Sequence, residues 1–213
     1  MSRRRTLISS DDTLDGYEYV DMGLPSGTLW AKYNIGATSE RMAGDLFQFG
    51  DINNCNNHPA NWENYIYYTG NTKNYSKYNT TDGFNYLKEE DDAANYIMGG
   101  SWFVPSWDEF SELTSTANTT ATGETIGSYI LVTLTSKING NEISFYGCGY
   151  KNNTNMSTVN QGLYMTGNLP SSPFNLVRLL QILFSNNQVG YGLNNRDRCY
   201  GYLIRPVNRI NTT

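Results

Sequence analysis

Asn139-Gly140 stands between two runs rich in apolar and β-branched residues, Tyr129 to Lys137 and Asn141 to Tyr146. Asn-Gly is the strongest short hairpin signal, because the left-handed backbone of a tight turn is least costly at these two residues. This stretch is therefore expected to be an antiparallel β-hairpin. Period-two alternation also opens the chain. Tyr17, Tyr19 and Asp21 fall on one face and Glu18, Val20 and Met22 on the other, and a Pro25-Ser26-Gly27 turn leads into Thr28-Leu29-Trp30-Ala31. Tyr200 to Val207 alternates and is expected to close the domain as a strand. Leu176 to Phe184 is apolar enough for a helix or a buried strand, and periodicity does not decide between them. Gly147 and Gly149, on either side of Cys148, mark a bulge or a close backbone approach.

Two short helices are expected between the β segments. Glu89-Glu90-Asp91-Asp92 places four carboxylates at the start of Ala93-Ala94-Asn95-Tyr96-Ile97-Met98, where they meet the positive end of the helix dipole, and Gly99-Gly100 ends it. In Pro105-Ser106-Trp107-Asp108-Glu109-Phe110, Ser106 caps and Glu109 reaches back, with Leu113 continuing the apolar face. The acidic run is thus read as a helix start and not as a metal site. Residues 52 to 86 form a long Asn/Tyr-rich stretch of weak periodicity, expected as an insertion-like loop packed by its own aromatics.

A length of 213 residues suits one domain. Only 16% of residues are charged, yet 17 Tyr, 20 Gly and 27 Asn keep the chain polar. Low charge with many aromatics is not the composition of disorder; it suits a β domain with Asn/Gly turns and adaptable loops. Apolar runs are far short of the ~20 residues that cross a bilayer, so no membrane insertion is expected. Fifteen Lys+Arg against twenty Asp+Glu give a formal charge of -5, which argues against a dedicated nucleic-acid binder. The charge is uneven: residues 1–112 carry 8 basic and 17 acidic side chains, residues 113–213 carry 7 and 3.

Cys55, Cys148 and Cys199 have no metal-ligand spacing, and an odd number cannot close completely into intramolecular disulfides; three free thiols are expected. The one histidine, His58, lies in an Asn-Asn-His-Pro turn without a histidine partner. No phosphate loop, Cys-x-x-Cys or His-x-x-x-His is present, and no clustered oxygen ligands suggest calcium. No catalytic residue, metal or cofactor is expected. Residues 1–15 read as a basic arm and residues 16–213 as the domain. The first ten residues lack the apolar stretch of a secretory signal, so synthesis and retention in the cytoplasm are expected.

Tyr19-Val20-Asp21-Met22-Gly23-Leu24-Pro25-Ser26-Gly27-Thr28-Leu29-Trp30-Ala31, followed by Asn34-Ile35-Gly36-Ala37-Thr38, Gly44-Asp45 and Phe49-Gly50, resembles the opening of the Fibrobacter succinogenes major paralogous domain. Asp92-Ala93-Ala94, Gly99-Gly100-Ser101-Trp102, Val104-Pro105, Glu109-Phe110 and Leu113 resemble its centre, and Gly201-Tyr202 with Ile204-Arg205-Pro206-Val207 its closing strand. The resemblance spans about residues 17 to 208. It implies an α+β, C-type-lectin-like fold: two small antiparallel sheets, two short helices and long loops, with first and last strands paired and Leu176 to Phe184 a strand. It also implies that the loops form the variable, ligand-facing side. Two segments depart from the family. Phe145-Tyr146-Gly147-Cys148-Gly149-Tyr150 replaces an apolar-Pro-Ala-Ala-Gly type segment. Tyr164-Met165-Thr166-Gly167 replaces Tyr-Trp-Ser-Ser, and the lost Trp implies a rebuilt ligand side.

Sugar binding without metal needs aromatic faces for the ring and amides for the hydroxyls. Trp62, Tyr65, Tyr67 and Tyr68 supply this chemistry in the long loop, with the alternative that these rings are simply the loop's core. A second polar surface is expected at Asn152 to Gln161 with Asn186 to Arg198, carrying Asn152, Asn155, Asn194 and Arg196. A lectin-like domain behind a basic arm looks like a virion component of a bacteriophage infecting Bacteroidetes, a head or tail fibre or decoration protein. Arg3, Arg4, Arg5, Leu7 and Ile8 would attach it to capsid or tail proteins, and the domain would bind host-surface carbohydrate, as a homo-oligomer and most plausibly a trimer. The alternative is a bacterial cell-surface or envelope protein of the same family.

Overall fold

The computed structural model describes residues 13–71, 74–172 and 174–209. The expected anchor residues Arg3, Arg4, Arg5, Leu7 and Ile8 lie outside them. The opening alternation forms the strand Tyr17–Asp21, which pairs antiparallel with Leu29–Ala31 across the predicted turn. Thr13–Leu14 adds to the outer edge of Tyr17–Asp21, so the sheet begins three residues ahead of the expected domain start. The closing residues Val207–Asn208 then insert between Leu29–Ala31 and Trp102–Phe103, completing a five-stranded sheet.

The chain is a sheet-rich α+β fold with two α-helices among the described residues. Three sheets of three or more strands are present where two were expected. The Asn139-Gly140 hairpin is the core of the second: Tyr129–Ser136 lies between Glu142–Gly147 and Thr119–Ile126, all antiparallel. Its tip is longer than a two-residue turn, since Ser136 N–H bonds Asn141 O, and of Asn139 and Gly140 only the latter has a positive φ, of 79°. The Asn139 amide instead donates to Asp21 O at 2.7 Å, tying the hairpin to the opening strand. The third sheet runs Gln188–Asp197, Leu176–Ser185, Gln161–Met165, Tyr202–Leu203, Leu46–Phe47. Leu176 to Phe184 is therefore strand, and the pairing of Tyr164 with Leu203 is parallel, an exception to the expected antiparallel sheets.

Tyr200 to Val207 is not one strand. It supplies Tyr202–Leu203 to the third sheet and Val207–Asn208 to the first, because Ile204 and Pro206 turn their carbonyls to Ile35 and Ala31 N–H across the gap. The last strand pairs with the second strand of the opening hairpin, not with the first.

Helix α1 (Ala93–Met98) is capped by Asp92, whose carboxylate accepts from Ala94 and Asn95 N–H and, across the chain, from Val104 N–H. Helix α2 (Trp107–Thr114) carries the predicted capping box in full. Between the sheets the main core gathers Trp30, Phe110, Phe145 and Tyr164, with Trp30 and Phe110 centroids 5.2 Å apart and Phe145 and Tyr164 5.0 Å apart. A second core holds Phe47, Phe49, Tyr78, Leu163, Val177 and Tyr202. Met165 belongs to it at 1% exposure, so this side chain lies beneath the surface. Gly149 is the close approach foreseen: at φ 78° a Cβ there would stand 1.9 Å from Ser157 O.

Glu109 links α2 to the end of the described chain, accepting from Arg209 Nε at 2.8 Å and Arg209 Nη2 at 3.0 Å. Burial alone would raise its carboxyl, but the hydrogen bond and charge of Arg209 outweigh that and hold it below the usual range. A carboxyl held low in the folded state contributes stability that is present above its unfolded pKa and lost as pH falls through the folded one. Glu109→Gln is expected to cost about 2 kcal/mol at neutral pH and to cost less in acid, as pH falls through the lowered folded-state pKa, read by thermal melts in both conditions.

Candidate functional site

The long loop from residue 52 is folded around rings. A short 3-10 turn, Trp62–Asn64, is capped by the Asn61 side chain, and Tyr68–Asn71 pairs with Asn74–Tyr75. Trp62 packs against Tyr65, Tyr68 and Tyr75 at 5.9, 5.8 and 5.6 Å between centroids. Tyr65 is buried and its hydroxyl donates to Phe49 O at 2.9 Å, so this ring serves the loop's core and offers no face to a ligand. Trp62, Tyr67 and Tyr68 are half-buried. Tyr67 also donates inward, to Gly50 O at 3.3 Å. That leaves Trp62 and Tyr68 as the aromatic edge of the loop.

At the centre of this loop stands Arg198, which the sequence did not single out. It is fully buried, with its guanidinium carbon 3.6 Å from the Tyr75 ring centroid and 5.4 Å from that of Tyr65, and Nη1 donates to Tyr78 O at 2.8 Å. Burial lowers its pKa, opposed by the facing tyrosines. The π faces of two rings and one carbonyl take the place of a carboxylate here. Only its position next to a cysteine in a closing apolar segment distinguishes Arg198 in the sequence, and that is no signal.

The second expected surface is joined to the first by backbone. Ala60 and Asn153 exchange N–H···O bonds of 2.9 and 2.8 Å, although 93 positions apart in numbering, and the Asn61 amide donates to Asn153 Oδ1 at 3.3 Å. Lys151, buried beneath, donates from Nζ to Cys55 O and Asn56 O, both at 2.7 Å. These bonds clamp the Asn-rich segment 53–61 to the hairpin Tyr150–Asn152/Asn155–Ser157. Exposed amides at Asn53, Asn54, Asn56, Asn57, Asn64, Asn153 and Asn155 line the result, with Asn152 half-buried among them.

Tyr150, buried at 8% exposure, links this hairpin to Arg196. It stacks on Tyr202 at 5.9 Å and meets Tyr200 at 5.3 Å, while Arg196 lies 5.7 Å from its centroid. Asn194 donates to Gln181 Oε1 at 3.1 Å, and Gln181 in turn donates to Gln161 Oε1. The eight predicted ligand residues thus lie along one run of contacts, from the Trp62 turn through the Asn153 clamp to Arg196. Tyr65 is its core member.

Groups for covalent chemistry are not assembled in this region. Burial pushes the Cys55 thiol up to about 11 and that of Cys148 to about 12, and raises Cys199 further; all three are buried free thiols. Among the described residues, the His58 ring is within hydrogen-bond distance of the carbonyl of its neighbour Pro59 alone. Among the described residues no three His, Cys, Asp or Glu side chains gather as metal ligands, and no helix is long and apolar enough to cross a membrane. Comparison with protein-family models, with curated proteins and with solved structures finds no match.

Removing the Arg198 guanidinium leaves Tyr78 O without its donor and opens a cavity between Tyr65 and Tyr75. Arg198→Ala is expected to destabilise the chain by about 3 kcal/mol. Near-ultraviolet circular dichroism should show the tyrosine signal melting ahead of the far-ultraviolet one. Coincident transitions at the wild-type temperature would show that Arg198 does not organise the loop.

Proposed function

We propose that this chain is a non-catalytic recognition domain of C-type-lectin-like architecture that binds carbohydrate on a host cell surface as part of a bacteriophage particle. The observation that carries recognition is the clamped face: two Asn-rich loops from distant parts of the chain, locked by the reciprocal Ala60–Asn153 bonds, with Trp62 beside them. Sugar hydroxyls need amide donors and acceptors held in fixed positions, and a pyranose ring needs one aromatic edge or face. Pre-ordering both removes an entropic cost of binding.

The lectin-like reading is supported by the return of Val207–Asn208 alongside the opening hairpin and by the long loops gathered around residues 52–86 and 150–157. Attachment to capsid or tail rests on the sequence of the arm, with Arg3, Arg4 and Arg5 ahead of Leu7 and Ile8. A trimer would raise weak single-site affinity by avidity.

Binding of the full chain to host-surface polysaccharide, measured on immobilised glycans, is expected to fall about tenfold or more in Trp62→Ala. Unchanged binding in that variant would remove the clamped face from the account. Immunogold microscopy separates the settings. Label on purified particles supports the virion reading; label confined to uninfected cells would make this an envelope adhesin.

A further inference from the structure

Five of the seven basic side chains in residues 113–213 are committed within the fold. Lys137 donates to Thr116 O, Lys151 to the carbonyls of Cys55 and Asn56, Arg198 to Tyr78 O, Arg205 to Asn34 and three carbonyls, and Arg209 to Glu109 and Tyr86. Arg178 and Arg196 differ: among the described residues neither makes a side-chain hydrogen bond or an ion pair, and the Nε of each is buried without a partner, as is that of Arg198, whose Nη1 is nevertheless bonded.

The pleat separates the two. Arg196 is directly opposite Val177, so Arg178, one position on, projects from the other face of the sheet. Arg196 therefore stands alone on the face that carries Tyr150, Asn194, Gln181 and Gln161, half-buried over the Tyr150–Tyr202 stack. Its nearest acid in sequence, Asp197, is on the opposite face and accepts from Asn175 Nδ2 at 2.7 Å. A guanidinium fixed against an aromatic stack, with its fork unused and a polar amide ladder beside it, is an incomplete charge pair.

We propose that Arg196 receives the carboxylate of an acidic sugar, a uronic acid or another carboxylated saccharide, while the half-buried Asn194, backed by Gln181 and the buried Gln161, takes an adjacent hydroxyl. The inference rests on the carbohydrate-binding reading above and names its ligand class. The planar fork matches a carboxylate in two parallel bonds. One free cation balances a monoanion. A phosphate dianion calls for more donors, and nucleic acid calls for a basic surface that this acidic chain lacks.

The test is calorimetric titration of the full chain with oligomers of galacturonate, glucuronate and mannuronate and with the methyl esters of each. Esterification removes the charge and keeps the sugar. At least one acid is expected to bind about tenfold more tightly than its ester, and more weakly as salt rises. Arg196→Gln should bring the acid down to its ester's affinity, with Arg196→Lys between. Since Arg196 gives up no hydrogen bond and only its contact with the Tyr150 ring, Arg196→Gln should melt close to the wild-type temperature. Equal affinity for acids and esters, or neutral glycans bound while acids are refused, would overturn the acidic-sugar assignment and leave the recognition function standing. A folded wild-type chain that binds no saccharide, acidic or neutral, would overturn both.

Discussion

Arg205 is the joint on which the sheets depend. It is 1% exposed, and its guanidinium bonds Asn34 Oδ1 at 2.8 Å, Lys32 O at 3.0 Å, Ala31 O at 3.4 Å and Ser144 O at 2.8 Å. Those acceptors belong to the end of the opening hairpin, the loop after it and the central meander. The Phe145 ring lies 4.7 Å beneath. Burial draws its pKa down to about 10, opposed by Tyr164 and by the charge of Glu40; among the described residues no carboxylate forms an ion pair with it. A lysine has one ammonium where this site needs a fork of donors in a plane. The chain on either side of Arg205 serves two different sheets, and the guanidinium holds open the gap between them.

The long loops repeat the same physics. Arg198 is to the aromatic loop what Arg205 is to the sheets, a buried cation held against rings and carbonyl oxygen, with Nη1 bonded to Tyr78 O and Nε and Nη2 without a hydrogen-bond partner. Such sites rigidify, because the charge tolerates little displacement once desolvated. The Lys151 contacts to Cys55 and Asn56 and the Ala60–Asn153 exchange extend that rigidity to the Asn-rich rim. Three buried cations thus fix the core, the aromatic loop and the clamp, and Arg196 is left over at the rim of the surface they fix.

Much of the local structure was legible in the sequence because its causes are local. The Ser106–Glu109 capping box, the Asp92 cap, the opening turn and the meander hairpin each follow from residues within a few positions of one another. Thr119–Ile126 was not foreseen: it reads Thr-Thr-Ala-Thr-Gly-Glu-Thr-Ile, an edge strand with solvent on one face and no apolar alternation to announce it. The division of Tyr200 to Val207 between two sheets was also hidden, since it depends on acceptors 170 and more positions away. The candidate ligand residues were chosen by side-chain chemistry, and the sequence did not distinguish a packed ring from a presented one. Tyr65 and Tyr68 look alike there, and only the depth of the fold separates them.

The central claim is that two distant loops form one rigid face before any ligand arrives. Amide hydrogen exchange of the full chain at residues Ala60 and Asn153 tests it most directly. Both N–H groups are expected to be protected to the level of the core strands, because each opens only when the loops part. Exchange of either at the rate of an unstructured peptide, with core strands still protected, would mean that the loops move independently and that the face does not exist in the free protein.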